Sequence, residues 1–187
     1  SMPCWGEYRS DCADFEFLLA ENGIEKLYHF TDSRNLGSIA ELGGLYSWKE
    51  LNRKNRRIPA AGGDSLSRTL DVTNGLQDFV HLSFARAQPM LASALRDGRI
   101  EQAVHLEISP DVILFSMTQF ANRNAATSKS RLNVGSHLKD LRIIKFQVFS
   151  TESWDSHTFD DFQAEVLVPS NVPKEFILNW SDVINGS

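Results

Sequence analysis

The chain is 187 residues long, 42% hydrophobic and 10% aromatic, which is enough for one well-buried core and too little for two comfortable domains. Its net charge of −5 excludes a protein that coats nucleic acid by charge alone, and no run approaches the roughly 18 consecutive apolar residues of a membrane span. Cys4 and Cys12 are the only thiols and neither belongs to a CxxC pair, so neither a disulfide framework nor a metal site is expected. Residues 1–187 are therefore read as a single domain, with Ser1-Met2 as a cloning remnant and residues 3–24 as an N-terminal helical segment. Ser1-Met2-Pro3-Cys4 lacks the basic-then-apolar pattern of a secretion signal, so a cytoplasmic protein with reduced cysteines and no membrane partner is expected.

In chain order, Cys12 to Glu21 places Phe15, Leu18 and Leu19 on one face ahead of Asn22-Gly23, the pattern of an amphipathic helix and its stop. Leu27 to Phe30 reads as a short strand. Asp32 or Ser33 caps a second helix, whose Leu36, Ile39, Ala40 and Leu42 fall at helical spacing before Gly43-Gly44 ends it. Leu45 to Gln77 is irregular, and a loop that long in a compact domain normally binds something or stays disordered. Phe79 to Phe84 reads as a strand, and Pro89 to Leu95 as a helix entered through proline and closed by Asp97-Gly98. Ala103 to Ile108 alternates as a strand. Gln119 to Gly135 reads as polar loop and Ser136 to Leu141 as helical. Ile143 to Phe149 and Phe162 to Val168 read as two further strands, closed by Pro169 and Pro173. Short strands with helices gathered in the first half indicate an α+β fold. No glycine fingerprint supports a Rossmann or P-loop nucleotide site.

Three strands carry a polar residue inside an apolar run: His29, His81 and Glu165. Burial excludes such residues unless something pairs with them. The plainer readings are a hydrogen-bonded core histidine and a glutamate on a solvent-facing strand. Against the latter stand the low strand propensity of glutamate and the suitability of a cleft-facing carboxylate as a general base. Thr31 and Asp32 add a hydroxyl and a carboxylate at a helix entrance, where backbone amides point outward. Lys49, Arg53, Lys54, Arg56, Arg57 and Arg68 face only Glu50 and Asp64, a local excess of four positive charges. Such a stretch is either a solvated loop or a grip on a phosphate backbone.

Taken together, Tyr28-His29-Phe30-Thr31 with Asn35-Leu36, Gly43-Gly44-Leu45-Tyr46-Ser47, Asp78-Phe79-Val80 leading to Phe84, Phe120 with Asn124-Ala125-Ala126, and Gln163-Ala164-Glu165-Val166-Leu167-Val168 resemble the DarT family. These are bacterial toxins that transfer ADP-ribose from NAD to a DNA base, and the resemblance runs from about Leu27 to Val168 in the family's order. It implies an ADP-ribosyltransferase-like fold, with two small, mainly antiparallel sheets forming an NAD cleft flanked by helices. It implies Glu165 and Arg68 as catalytic residues, and His29, Thr31, Asn35, Gly43, Leu45 and Arg68 as contacts to NAD. The loop Thr151 to Phe162 would select the acceptor. There Trp154, His157 and Phe159 are candidates to stack on an exposed base, while Trp154 and Phe159 equally suit a small satellite core. Arg53, Lys54, Arg56 and Arg57 would hold the backbone of single-stranded DNA. A hydrolase antitoxin that removes ADP-ribose is implied as partner, and no metal is. Two departures leave thymine and guanine both open: His81-Leu82-Ser83 stands where the thymidine-modifying branch carries proline and aromatics, and the loop before Glu165 is short. The rival readings are a transferase acting on RNA or protein, and a non-catalytic NAD- or nucleic-acid-binding module.

Overall fold

Among the described residues eight strands form where the alternating stretches find partners: β1 (Leu27–Asp32), β2 (Gly44–Tyr46), β3 (Phe79–Ser83), β4 (Ala103–Ile108), β5 (Gln119–Ala121), β6 (Val134–Gly135), β7 (Glu165–Pro169) and β8 (Asn171–Pro173). The computed structural model describes residues 4–54, 75–124 and 131–186. Six of the strands make one sheet in the order β4-β1-β3-β7-β5-β6, and β2 pairs with β8 in a second. Every pairing is antiparallel. The larger sheet is two halves with a narrow joint: β1 follows β4 from Leu27 to Asp32 and β3 follows β7 from Phe79 to Ser83, but β1 meets β3 only at Tyr28 and Ser83.

Period-two alternation sorts the two faces. Leu27, Val80, Leu82, Leu106, Ile108, Phe120, Val166 and Val168 enter one core cluster. That face is covered by helix α1 (Cys12–Glu21) through Phe15, Leu18 and Leu19 and by a later short helix (Leu138–Arg142) through Leu141. The segment ahead of α1 is anchored in the same core. Trp5 is fully buried and donates its indole N–H to the Asn171 carbonyl at 2.9 Å. The Arg9 guanidinium lies 4.2 Å above the Phe15 ring and donates to the carbonyls of Ile113, Thr118 and Ser136. Helix α2 (Leu36–Leu42) ends at Gly43, whose φ of 80° is the left-handed cap that glycine adopts without strain. Its neighbour Gly44 lets β2 approach β8, since a Cβ there would lie 2.2 Å from the Val172 carbonyl oxygen. On the opposite face of the large sheet, the helix Pro89–Arg96 packs Leu91 and Ala94, with Ile100, against Phe30 and Ala103. Among the described residues no helix is long and apolar enough to cross a membrane.

The structure departs from the sequence expectations in four places. Ile143 to Phe149 is not a strand; a 3₁₀ helix spans Phe146–Ser150. Its three-residue turn puts Phe146 and Phe149 on the same side, where both rings meet Phe84, at 5.3 and 5.5 Å. Residues Asp161–Gln163 form another 3₁₀ turn, so the last long strand starts at Glu165 and not at Phe162. The stretch expected to be irregular after Leu45 holds β2 and a short helix, Trp48–Arg53, capped by the Ser47 hydroxyl. The polar stretch from Gln119 contains β5 and β6.

Asp32 locks the end of β1. Its carboxylate is fully buried and accepts the backbone N–H of Arg34 at 2.8 Å, that of Glu101 at 2.7 Å, and two guanidinium N–H groups of Arg34. The Arg34 guanidinium, helped by those backbone donors, holds the carboxyl far below the ordinary carboxylate range against the opposing effect of burial. Asp32→Ala leaves two backbone donors without an acceptor and is expected to lower stability by roughly 2–3 kcal/mol at pH 7 in urea unfolding. Because the folded value is the lower one, this advantage is complete above the unfolded value of roughly 4 and shrinks as pH falls below it. A variant as stable as wild type at pH 7 contradicts the assignment.

Candidate active site

Where β1 leaves β3, the ladder stops and backbone groups need other partners. His29, one residue past the joint, places Nδ1 3.2 Å from the His81 carbonyl oxygen. A carbonyl only accepts, so Nδ1 carries the hydrogen and Nε2 keeps a lone pair. Burial pushes the His29 imidazole below its ordinary value, which keeps the ring neutral and leaves Nε2 able to accept a hydroxyl proton. His81 has its own side chain on the sheet face away from the main core, together with Ser83 and, across the β3–β7 ladder, Leu167 and Glu165. Its Nδ1 lies 3.4 Å from Glu165 Oε1 and its Nε2 3.2 Å from the Leu76 carbonyl oxygen. The side chains of His81 and Glu165 are 22% and 15% exposed, so both remain within reach of a ligand. The strand positions singled out for their misplaced polarity thus come together through two contacts.

The other cofactor candidates frame this site in different ways. Thr31 and Asn35 are buried and joined by a hydrogen bond from Asn35 Nδ2 to Thr31 Oγ1 at 2.9 Å, which ties β1 to the turn entering α2. Gly43 caps α2, and Leu45 is buried in β2 opposite Val172. Arg56, Arg57 and Arg68 lie outside the described residues. Of the basic stretch, Arg53 is paired with Glu50 at 2.8 Å and Lys54 sits 5.2 Å from the centre of the Tyr46 ring. His105, the third strand histidine, stands apart on β4, its Nε2 against the Arg86 carbonyl at 3.1 Å.

In the loop before Glu165, Trp154 packs on the buried Phe162 at 5.9 Å and joins the small cluster of Ala85, Val148 and Phe162. His157 and Phe159 are exposed, and the backbone N–H groups of His157 and Thr158 both donate to Asp155 Oδ1. Residues at the end of β5 stitch this loop down. Arg123 Nη1 lies 2.7 Å from Asp160 Oδ2, and Asn124 Nδ2 donates to Gln163 Oε1 at 3.3 Å. Gln163 Nε2 in turn donates to the Phe159 carbonyl at 2.9 Å. Sequence reasoning missed the roles of His81, Arg123 and Gln163. His81 carried a signal, polarity inside an apolar strand, whereas Arg123 resembled any surface cation.

A family model described as "ssDNA thymidine ADP-ribosyltransferase, DarT" matches residues 28–180. The chain is similar in structure to Thermus sp. 2.9 DarT in complex with ADP-ribosylated ssDNA, with a TM-score of 0.68, 19% identity, and 83% of this chain and 79% of that one covered. It is also similar to the same Thermus protein in complex with carba-NAD+, with a TM-score of 0.61, 20% identity, and 87% and 88% covered. Thermosipho africanus DarTG in complex with ADP-ribose gives a TM-score of 0.69 at 21% identity, with 86% of this chain matching 47% of that longer one. No curated protein matches the chain by sequence. At these identities the structural likeness establishes the fold, an α+β architecture with a mainly antiparallel sheet.

The tautomer of His29 is directly measurable. Nitrogen-resolved NMR of the imidazole at pH 7 is expected to show a neutral ring with the hydrogen on Nδ1 and a titration midpoint below the ordinary value of roughly 6.5. A hydrogen on Nε2, or a midpoint above the ordinary value, contradicts the proposed acceptor role.

Proposed function

The chain belongs to the DarT family of ssDNA thymidine ADP-ribosyltransferases, and from that premise we propose that it moves ADP-ribose from NAD to thymidine in single-stranded DNA and releases nicotinamide. The observation that carries this reading is the family match over residues 28–180, which spans both His29 and Glu165. The Thermus DarT structures hold NAD+ and ADP-ribosylated ssDNA, which supports the same pair of substrates here. Of the two bases that the residues alone leave open, the family description supports thymidine.

When bound, NAD supplies the ADP-ribosyl group and carries nicotinamide away as the leaving group. The bond from the ribose carbon to the nicotinamide nitrogen breaks with its electron pair, and a ring nitrogen of the base donates the pair for the new bond and gives up its proton. Positive charge develops at the ribose carbon, so the site must orient the sugar and stabilise that charge without admitting water. In this proposal Glu165 faces the ribose, accepts a hydroxyl hydrogen bond there and takes the proton from the base nitrogen. His29 offers its Nε2 lone pair to a second hydroxyl. Thr31, Asn35, Gly43 and Leu45 shape the pocket at the end of β1 and the turn after α2. Arg68 grips the pyrophosphate with its planar donors.

The target base must be exposed to reach such a site, which explains the preference for a single strand. In this proposal the exposed Phe159 and His157 stack on it, and Trp154, packed on Phe162, supports the loop and adds its remaining surface. Arg53, Lys54, Arg56 and Arg57 take the phosphates. The whole chain is taken as one transferase domain, acting in the cytoplasm where NAD and DNA coexist. A transferase that modifies DNA harms its own cell, so a hydrolase that removes ADP-ribose is the proposed partner. The long Thermosipho africanus DarTG chain, solved with ADP-ribose, is in keeping with that pairing.

Incubation of the chain with labelled NAD and single-stranded DNA, with duplex DNA, RNA and protein in parallel, tests the reaction. Transfer to single-stranded DNA, with fragmentation locating the adduct on thymidine, is expected. Glu165→Gln is expected to lower the rate by about 10²–10⁴-fold, and near wild-type transfer by a folded variant contradicts its role. Neutralising Arg53, Lys54, Arg56 and Arg57 together should weaken oligonucleotide binding and reduce its salt slope by about 0.7 for each phosphate that is no longer neutralised. An unchanged slope in fluorescence anisotropy removes these residues from the DNA path.

A further inference from the structure

His81 is not needed to complete the site as proposed above, yet its ring lies within ion-pair distance of Glu165. We infer that His81 is the positioning residue of Glu165, its Nδ1–H facing the carboxylate and holding it on the sheet face. The inference rests on the reading of Glu165 as catalytic and adds to it the group that aims it.

The hydrogen-bonding capacity of the ring leads there directly. Nε2 of His81 faces the Leu76 carbonyl at 3.2 Å, an oxygen that can only accept, so Nε2 carries a hydrogen. Nδ1 faces Glu165 Oε1 at 3.4 Å. If neither atom carried a proton, two lone pairs would oppose each other. A proton on Nδ1 gives an imidazolium against the Glu165 carboxylate, the one arrangement that satisfies both ring nitrogens and leaves Glu165 able to take a proton. The ring then faces the carboxylate as its ion-pair partner.

The surroundings make this bond count. Leu167, opposite His81 in the ladder, and Ala121, opposite Glu165 on the other side, are fully buried and cluster with Leu76. An ion pair beside such an apolar cluster is stronger than the same pair in water. The far end of the imidazole is also held by fixed backbone: the Leu76 carbonyl accepts the Phe79 N–H at 3.3 Å in the turn that opens β3. The ring therefore bridges that turn and the carboxylate, and it limits the rotamers open to Glu165.

Kinetics of the full chain with NAD and single-stranded DNA, comparing His81→Asn, His81→Gln and His81→Ala, separate this role from a merely structural one. The amide nitrogen of asparagine reaches the place of Nδ1, and that of glutamine the place of Nε2. His81→Ala and His81→Gln are expected to lose roughly 10–100-fold in kcat, the usual effect of removing a group that orients an active residue. The KM for NAD should change little, and His81→Asn should recover most of kcat. Equal kcat in all folded variants, or a loss in His81→Asn as large as in His81→Ala, overturns the inference. Imidazole NMR decides the pairing independently of turnover: Glu165→Gln should move the His81 ring signals at pH 7, and unchanged signals overturn it. A wild-type chain that transfers nothing to DNA would overturn the proposed function while this second measurement still judges the pair.

Discussion

The structure turns on the place where β1 parts from β3. Each strand is fully engaged on its outer side, β1 with β4 over six registered pairs and β3 with β7 over five, but the two share one pair, Tyr28 with Ser83. A sheet that separates at its middle leaves backbone groups that must be satisfied by something other than a ladder. Here the His29 imidazole takes the His81 carbonyl. The same contact that completes the backbone's hydrogen bonding fixes the tautomer of the ring and leaves Nε2 with its lone pair.

Much of the proposed chemistry follows from that parting. Glu165 begins β7 beside the joint, because Ser83 is the shared neighbour of Tyr28 in β1 and Glu165 in β7. A carboxylate at that position is reached by the His81 ring, whose strand is anchored on both sides. The small apolar cluster of Leu76, Ala121 and Leu167 backs this pair, whose side chains keep 22% and 15% of their surface exposed. Rigid strands hold these side chains, and the loop before Glu165 is itself tied down by Arg123 and Gln163. Positioning of reactive groups by supported elements is what a group-transfer site requires.

How much of this could be read from the chain depended on the length and the period of each element. Helix α1, β1, β3, β4 and the helix at Pro89 carry several periodic residues and recognisable stops, so local pattern and tertiary structure agree. Strands β2, β5, β6 and β8 are two or three residues long, too short for any period to show. The stretch from Ile143 alternates like a strand, but Phe146 and Phe149 are needed on the same side of Phe84, and a 3₁₀ turn supplies that. For the site, Glu165 and His29 were legible as polar residues where burial disfavours them. The link from His81 to Glu165 was not, because it depends on the register of β3 against β7, and register is set by pairing that no local spacing records. Trp154 was legible only as a choice between stacking and packing, and its contact with Phe162 shows the packing.

The central claim is that the parted strands and Glu165 form the place where NAD is opened. A crystal structure of the full chain with carba-NAD+, which keeps the bond that the reaction breaks, tests it most directly. The nicotinamide ribose is expected against the Glu165 carboxylate at about 3 Å, with His29 Nε2 accepting a hydroxyl of the same ligand and His81 still bridging Glu165 to the Leu76 carbonyl. A ligand seated away from the β1–β3 joint, with Glu165 and His29 untouched, would contradict it.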